Sequence, residues 1–239
     1  VGGSLNHRRP DANGFTNGSD DYNRYVTPVS YLESNIDKTP FMGGRIDNVK
    51  NTFKYAIELM TSYRQFYITG EYIHSKNERE KDWEYNFQSS LGTFMSTMAP
   101  TLDAYKKLYG GDTPVEQEGY SVQAGWLILG GNYNYNKVDA LMGRPGAGAL
   151  ELVLRYNHTD LNDLKGGSFY NGKFYDSPLY QSFGLANGSF IGGKADTYTV
   201  GVNYYFTKNI MVKLNYGYTD LDNRYSFTYN LDKKLHTIQ

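Results

Sequence analysis

The chain has 239 residues, a formal net charge of −1, 16% aromatic residues and no cysteine. The balanced charge argues against a nucleic-acid binder, and the lack of cysteine excludes disulfide scaffolds and cysteine-ligated metal sites. Because no run of about 18 apolar residues occurs, the sequence encodes no transmembrane helix.

Period-two alternation begins near the N-terminus, as expected when successive side chains of a strand face opposite sides. Residues 1–8 are the first predicted strand. Residues 52–64 form the second, with one apolar face and one face that carries charges of both signs. Residues 66–76 form the third and follow after only Arg64 and Gln65, which predicts a tight hairpin.

The second half of the chain continues the alternation. It predicts further strands at residues 119–130, 149–159, 196–206, 209–219 and 235–239. Minimal turns at 64–65 and 207–209 alternate with long polar connections. The long connections cover about residues 9–51, 77–118, 160–195 and 220–235. Outer-membrane barrels have short periplasmic turns and long extracellular loops, so the sequence predicts an all-β fold, a transmembrane antiparallel β-barrel, with the 131–148 connection on the periplasmic side.

Residues 1–239 are predicted to form a single domain. About eight strands are visible, and a closed barrel of that size would fill its interior with side chains. We therefore expect the C-terminal part of a larger barrel, of about 16 strands. The chain begins Val1-Gly2-Gly3-Ser4 without a charged and then apolar leader, so we expect that a signal peptide was removed or that the chain starts inside a longer protein.

Three segments resemble the phosphate-selective porin O and P family. Residues 119–126 (GYSVQAGW) resemble its Gly-aromatic strand, and residues 148–156 (GALELVLRY) resemble its Gly-Ala-aromatic-Glu-Leu-x-x-Arg-Tyr strand. Residues 192–218 resemble its penultimate hairpin, so the resemblance covers about 119–220. It implies a homotrimeric porin of about 16 strands with a polar lumen, in the bacterial outer membrane and in contact with lipid and lipopolysaccharide.

The best-known members of this family pass anions along rows of lumen arginine and lysine. In this chain the predicted lumen faces mix both charge signs without an arginine ladder, which favours a general or differently selective pore. The residues predicted to line the pore are Lys54, Glu58, Arg64, Glu71, Glu151, Arg155, Asn203, Lys213 and Asn215. Glu151 and Arg155 lie four apart on one strand, and they either orient passing solutes or form an ion pair within the wall.

Two further groups border the predicted pore. Arg8 and Arg9 lie at a predicted strand top, the pore mouth, where they attract anions, contact lipopolysaccharide phosphates or are simply solvated. Tyrosines at strand ends fit a membrane aromatic girdle, although a soluble protein could use them to stack on carbohydrate. The predicted girdle residues are Tyr55, Tyr63, Tyr156, Tyr204, Tyr216 and Tyr218.

The remaining motifs carry little chemistry. Residues 100–109 are predicted as a short helix, which either constricts the pore or decorates an external loop. The acidic stretch Asp11 to Asp21 lacks the spacing of a calcium loop. No catalytic motif appears and the four histidines are scattered, so we expect no enzyme activity, metal or cofactor.

Three functions fit these patterns. The first is a porin that lets small hydrophilic or anionic solutes diffuse passively, with weak affinity. The second is a structural or assembly barrel in a larger envelope complex, with loops 9–51 and 77–118 contacting other envelope proteins. The third is a soluble carbohydrate-binding β-sandwich, which the long strands disfavour because sandwich strands usually have about 5–6 residues. We expect no nucleic-acid partner.

Overall fold

The computed structural model describes part of the chain. The described residues are 1–11, 24–31, 40–47, 49–79, 114–136, 138, 141–163, 190, 192–207, 209–222 and 234–239. Within these described residues, the eight longer strands are β1 (Gly2–Arg8), β6 (Val49–Tyr63), β7 (Phe66–Arg79), β8 (Val115–Leu129), β11 (Ala149–Asp160), β12 (Lys194–Tyr205), β13 (Met211–Asp222) and β14 (Lys234–Ile238). The same residues also form six short strands, β2 (Tyr25–Val26), β3 (Val29–Tyr31), β4 (Pro40–Gly43), β5 (Ile46–Asp47), β9 (Tyr135–Asn136) and β10 (Leu141–Met142).

The eight longer strands form one antiparallel sheet in the order β1-β6-β7-β8-β11-β12-β13-β14. Each long strand pairs with the next long strand along the chain, so every connection between two of them returns the chain in the antiparallel direction. The predicted all-β, antiparallel fold is confirmed. The sheet is open, with β1 and β14 at its two edges. The predicted larger barrel, which would extend this sheet, stays a prediction.

The two ends of the sheet differ in their connections. At the short-turn end, β6 passes to β7 through residues 64–65, β12 passes to β13 through 206–210, and 130–148 joins β8 to β11. At the long-loop end, β7, β11 and β13 finish. The predicted helix at 100–109 and most of the acidic stretch 11–21 lie outside the described residues.

The register keeps the apolar side chains on one face of the sheet. Leu154 lies opposite Ala124 on one side and Val200 on the other, and Ile68 also lies opposite Ala124. On this outer face, Leu154 is 51% exposed and Leu214 is 61% exposed. A contiguous apolar surface of this extent is unfavourable in water and marks a face that another apolar phase covers.

Aromatic rings border the outer face at both ends of the strands. Toward the long-loop end, neighbouring rings of Tyr55, Tyr72, Tyr120, Tyr156, Tyr198 and Tyr218 form a row. Within this row the ring centroids of Tyr156 and Tyr198 are 5.1 Å apart. Toward the short-turn end, Phe66 stacks on Trp126 and Tyr204 contacts Phe206.

The structure places all six tyrosines of the predicted girdle on this outer face. Tyr55, Tyr156 and Tyr218 belong to the row near the long-loop end, and Tyr63 and Tyr204 lie near the short-turn end. Tyr216 lies opposite Val200, one step inside the upper row. Their depth in a membrane interface stays a prediction.

Arginine substitutions on adjacent residues of β7 test which face meets lipid. Ile68 lies on the outer face and Thr69 on the opposite, inner face. Ile68 lies one step inside Phe66, so we expect Ile68→Arg to lower the free energy of unfolding in lipid vesicles by about 2 kcal/mol, because arginine costs about 2–4 kcal/mol at the bilayer midplane and less toward the interfaces. Thr69→Arg, the matched control, is expected to change it by less than about 1 kcal/mol. Equal losses in urea titrations of the two variants would contradict the assignment of faces.

Candidate functional site

The inner face of the sheet combines charged and polar side chains along its middle. One row across the strands contains Glu58, Glu71, Ser121 and Asn157, and the next contains Thr69, Gln123, Arg155 and Thr199. These positions alternate with the aliphatic residues of the outer face, as the sequence predicted. The inner face is therefore the surface on which polar chemistry can take place.

Charges of both signs lie on this face. Glu58 and Glu71 lie directly opposite each other on β6 and β7, and we call them the acidic zone. Like charges in such a cross-strand pair repel each other. Arg155 on β11 and Lys213 on β13, both exposed, form the basic zone. Since β8 separates β7 from β11, the zones begin about 10 Å apart at about 4.8 Å per strand.

Polar neighbours surround the basic zone. Arg155 Nε donates to Asn157 Oδ1 at 3.3 Å. Asn203 lies opposite Lys213, and Asn215 lies opposite Gly201, whose missing side chain leaves the space that the Asn215 amide oxygen occupies. The structure thus brings together three predicted pore-lining residues, Asn203, Lys213 and Asn215, while Arg155 lies two strands away from Lys213 on the same face.

Arg64 is placed differently from the prediction. It lies in the turn between β6 and β7 with a positive φ of 54°, and its guanidinium carbon is 5.2 Å from the ring centroid of Tyr63, an outer-face residue. The prediction that it lines the inner wall extended the strand alternation one residue too far, because the strand ends at Tyr63. Its backbone carbonyl instead accepts a hydrogen bond from Tyr133 N at 2.8 Å.

At the long-loop end, the described residues 24–31 and 40–47 lie over the inner face. Met42 packs with Ala195 and Leu221, which are inner-face residues of β12 and β13. Gly43 N donates to Gly192 O at 2.9 Å. The first long connection therefore narrows the space in front of the sheet at this end.

A polar cavity of about 290 Å³ lies between this segment and the wall. Arg8, Lys54, Asn77 and Gln117 contribute to its lining. The predicted mouth residue Arg8 and the predicted pore-lining residue Lys54 thus share one cavity, whereas Arg9 is exposed just beyond β1.

At the short-turn end, the described residues of the 130–148 segment (130–136, 138 and 141–148) also turn onto the inner face. Gly130 and Gly131 have φ values of 106° and 95°, a region that side chains other than glycine rarely adopt. They direct Tyr133 against Leu127, Ala149 and Tyr205. The sequence predicted that this connection lies at the same end as the short turns, and the structure places it there, but the alternation did not reveal its path.

Glu151 is the centre of this short-turn cluster. It is only 4% exposed, so it does not present an open charge to the inner space. Tyr133 Oη donates to Oε1 at 2.6 Å, while Tyr205 Oη and Asn203 Nδ2 donate to Oε2 at 2.7 and 2.8 Å. Burial raises the pKa of the Tyr133 hydroxyl far above its ordinary value, and the adjacent Glu151 raises it further, so Tyr133 stays a donor.

These contacts differ from the ion pair with Arg155 that was one of the two sequence interpretations. Residues four apart on a strand are separated by about 13 Å, which is too far for a direct ion pair. The tyrosine hydroxyls that bind Glu151 were missed, although Tyr205 falls on the polar face by parity. That parity was the available signal, because a tyrosine on a polar face needs a hydrogen-bond partner when it is buried.

Tyr67 lies across Gly125 on the neighbouring strand. A Cβ at position 125 would overlap the Tyr67 ring. Gln123 Nε2 donates to Tyr67 Oη, and the ring centroids of Tyr67 and Tyr133 are 4.9 Å apart in an edge arrangement. Tyr67 therefore links the wall to the 130–148 segment.

Two other features are absent from the described part of the chain. No group of three or more histidine and acidic residues there is placed to hold a metal ion. No helix among the described residues is long and apolar enough to cross a membrane.

Long antiparallel strands with an apolar, aromatic-bordered outer face and a charged inner face define the wall of a porin-type channel. The chain belongs to the phosphate-selective porin O and P family, whose model matches residues 2–239. The sequence resemblance over about 119–220 is thereby confirmed and extends to almost the whole chain. A search of curated proteins finds no match.

Proposed function

We propose that this chain lines an outer-membrane pore through which small hydrophilic or anionic solutes diffuse passively. One observation carries the proposal: exposed Glu58, Arg155 and Lys213 share the inner face, while the alternate positions of the same strands are aliphatic. A charged face is stable at membrane depth when it faces water, since charge in lipid is costly. Solute affinity is weak, because a pore must release what it admits.

The distribution of inner-face charge favours a modest preference for anions. Three exposed cations, Arg144, Arg155 and Lys213, lie between the acidic zone and the short-turn end of the described wall. Glu151 lies among them but is buried. The acidic zone lies nearer the long-loop end and offsets part of this positive potential. We therefore favour weak anion selectivity over strict selectivity for phosphate.

The two faces of the sheet also indicate the environment of the protein. The outer face contacts lipid of a bacterial outer membrane, with the long-loop end outward and in reach of lipopolysaccharide, and the short-turn end toward the periplasm. A homotrimer is the proposed assembly. Neither a cofactor nor an enzymatic step is needed for passive diffusion.

Swelling of proteoliposomes tests the proposed pore. Vesicles with the folded full-length protein should swell in isotonic sugar solutions, at rates that fall steeply as the sugar grows, because a narrow lumen excludes larger solutes. Vesicles with heat-denatured protein serve as the control. Absence of swelling by protein shown to be inserted would overturn the proposal and favour a structural role in an envelope complex.

A further inference from the structure

A single buried carboxylate fastens the 130–148 segment to the barrel wall. Tyr133 comes from this segment, whereas Asn203 and Tyr205 belong to β12, and all three donate to Glu151. Burying a carboxylate is costly unless donors replace its hydration. Here three neutral donors do so, and each loses its partner if the carboxylate is removed.

The same cluster holds the second half of the segment. The Arg144 guanidinium carbon lies 5.7 Å from the ring centroid of Tyr205, within the range of a cation–π interaction. Gly148 N donates to Tyr205 O at 2.6 Å. The Tyr133 hydroxyl on Glu151 therefore fixes the start of the segment, and the Tyr205 hydroxyl on Glu151 fixes the ring beside which Arg144 lies.

We propose that Glu151 is a positioning residue which, through Tyr133 and Tyr205, holds Arg144 at the short-turn mouth as a determinant of anion preference. The inference rests on the proposed pore function. Arg144 is exposed and its guanidinium lies beside the ring of Tyr205, an inner-face residue, which places its charge next to the inner space. Glu151 is a negative residue that promotes anion passage, because its own charge is buried while it orders a positive one.

The chain offers a matched comparison that separates this role from simple charge. Glu71 is also an inner-face carboxylate, but it lies opposite Glu58 in the acidic zone. Glu71→Gln and Glu151→Gln each remove one negative charge from the inner side. If charge alone matters, both variants increase the preference for chloride over potassium.

Glu71→Gln and Glu151→Gln should change the chloride preference in opposite directions. Reversal potentials in a potassium chloride gradient should show that Glu71→Gln raises the chloride preference and that Glu151→Gln lowers it by about two-fold, because Arg144 loses its fixed place. Arg144→Gln should lower it to a similar degree. Combining Arg144→Gln with Glu151→Gln should lower the chloride preference little further than either substitution alone, as expected for residues that act as one unit.

Milder variants keep the proposal testable if Glu151→Gln fails to fold. Tyr133→Phe and Tyr205→Phe each remove one hydroxyl while keeping the ring, and both should lower the chloride preference and broaden the distribution of single-channel currents. A rise in chloride preference for Glu151→Gln, or unchanged preference in both phenylalanine variants, would overturn the proposal. A native protein that does not conduct would instead overturn the pore function itself.

Discussion

Gly125→Val is expected to destabilise the folded protein by about 3 kcal/mol, the cost of losing a packed aromatic side chain. The Tyr67 ring occupies the space that a side chain at 125 would need. Valine must expel this ring, which breaks its hydrogen bond with Gln123 and its edge contact with Tyr133. Because Tyr133 also binds Glu151, the damage should extend to the 130–148 segment. Urea-induced unfolding in lipid vesicles, followed by tryptophan fluorescence, measures the loss.

Gly146→Ala is the matched control for this substitution. A Cβ at position 146 would meet nothing within 4 Å, so the added methyl group should change the free energy of unfolding by less than about 0.5 kcal/mol. Tyr67→Ser should recover part of the stability of Gly125→Val, since it removes the clashing ring. Equal stability of Gly125→Val and Gly146→Ala would show that Tyr67 does not lie across Gly125 in the folded protein.

Reversing the basic zone is expected to reverse the ion preference of the pore. The double substitution Arg155→Glu and Lys213→Glu places two carboxylates where the inner face now has two cations. We expect the chloride-to-potassium permeability ratio to fall by about five-fold, because lining charge sets which ion enters a narrow lumen. The shift should shrink in 1 M salt, where the Debye length is about 3 Å rather than about 8 Å at physiological ionic strength.

Lys76→Glu provides the control on the other face. Lys76 lies on the outer face of β7, where its Nζ is 3.2 Å from Glu116 Oε1. Its reversal leaves the inner wall unchanged, so the reversal potential should stay at the native value. An unchanged reversal potential in the Arg155 and Lys213 double variant would mean that these side chains do not border the ion path.

The strands could be predicted because a two-faced sheet imposes its period on the sequence. Leu150, Leu152 and Leu154 alternate with Glu151 and Arg155, and this pattern requires no knowledge of any distant residue. The predicted strand at 149–159 accordingly corresponds to β11 at Ala149–Asp160. The family was likewise recognisable, since its motifs lie within single strands and hairpins.

The paths of the connections could not be predicted in the same way. Met42 and Tyr133 lie in segments without periodicity, and both reach the inner face through contacts with residues far along the chain. Glu151 shows the consequence: its face followed from parity, whereas its partners depend on where Gly130 and Gly131 direct the chain. The positions of turn residues such as Arg64 are also hard to predict, because the alternation does not reveal the residue at which the strand ends.

The central claim is that the inner face borders water and the outer face borders lipid. The chain contains no cysteine, so single cysteines can be introduced without a background. Thr199 and Ser121 lie on the inner face, and their neighbours Val200 and Val122 lie on the outer face. In planar bilayers, a membrane-impermeant anionic thiol reagent should reduce the single-channel conductance of Thr199→Cys and Ser121→Cys and leave that of Val200→Cys and Val122→Cys unchanged. The account would be contradicted if the reagent reduced the conductance of Val200→Cys and Val122→Cys and left that of Thr199→Cys and Ser121→Cys unchanged.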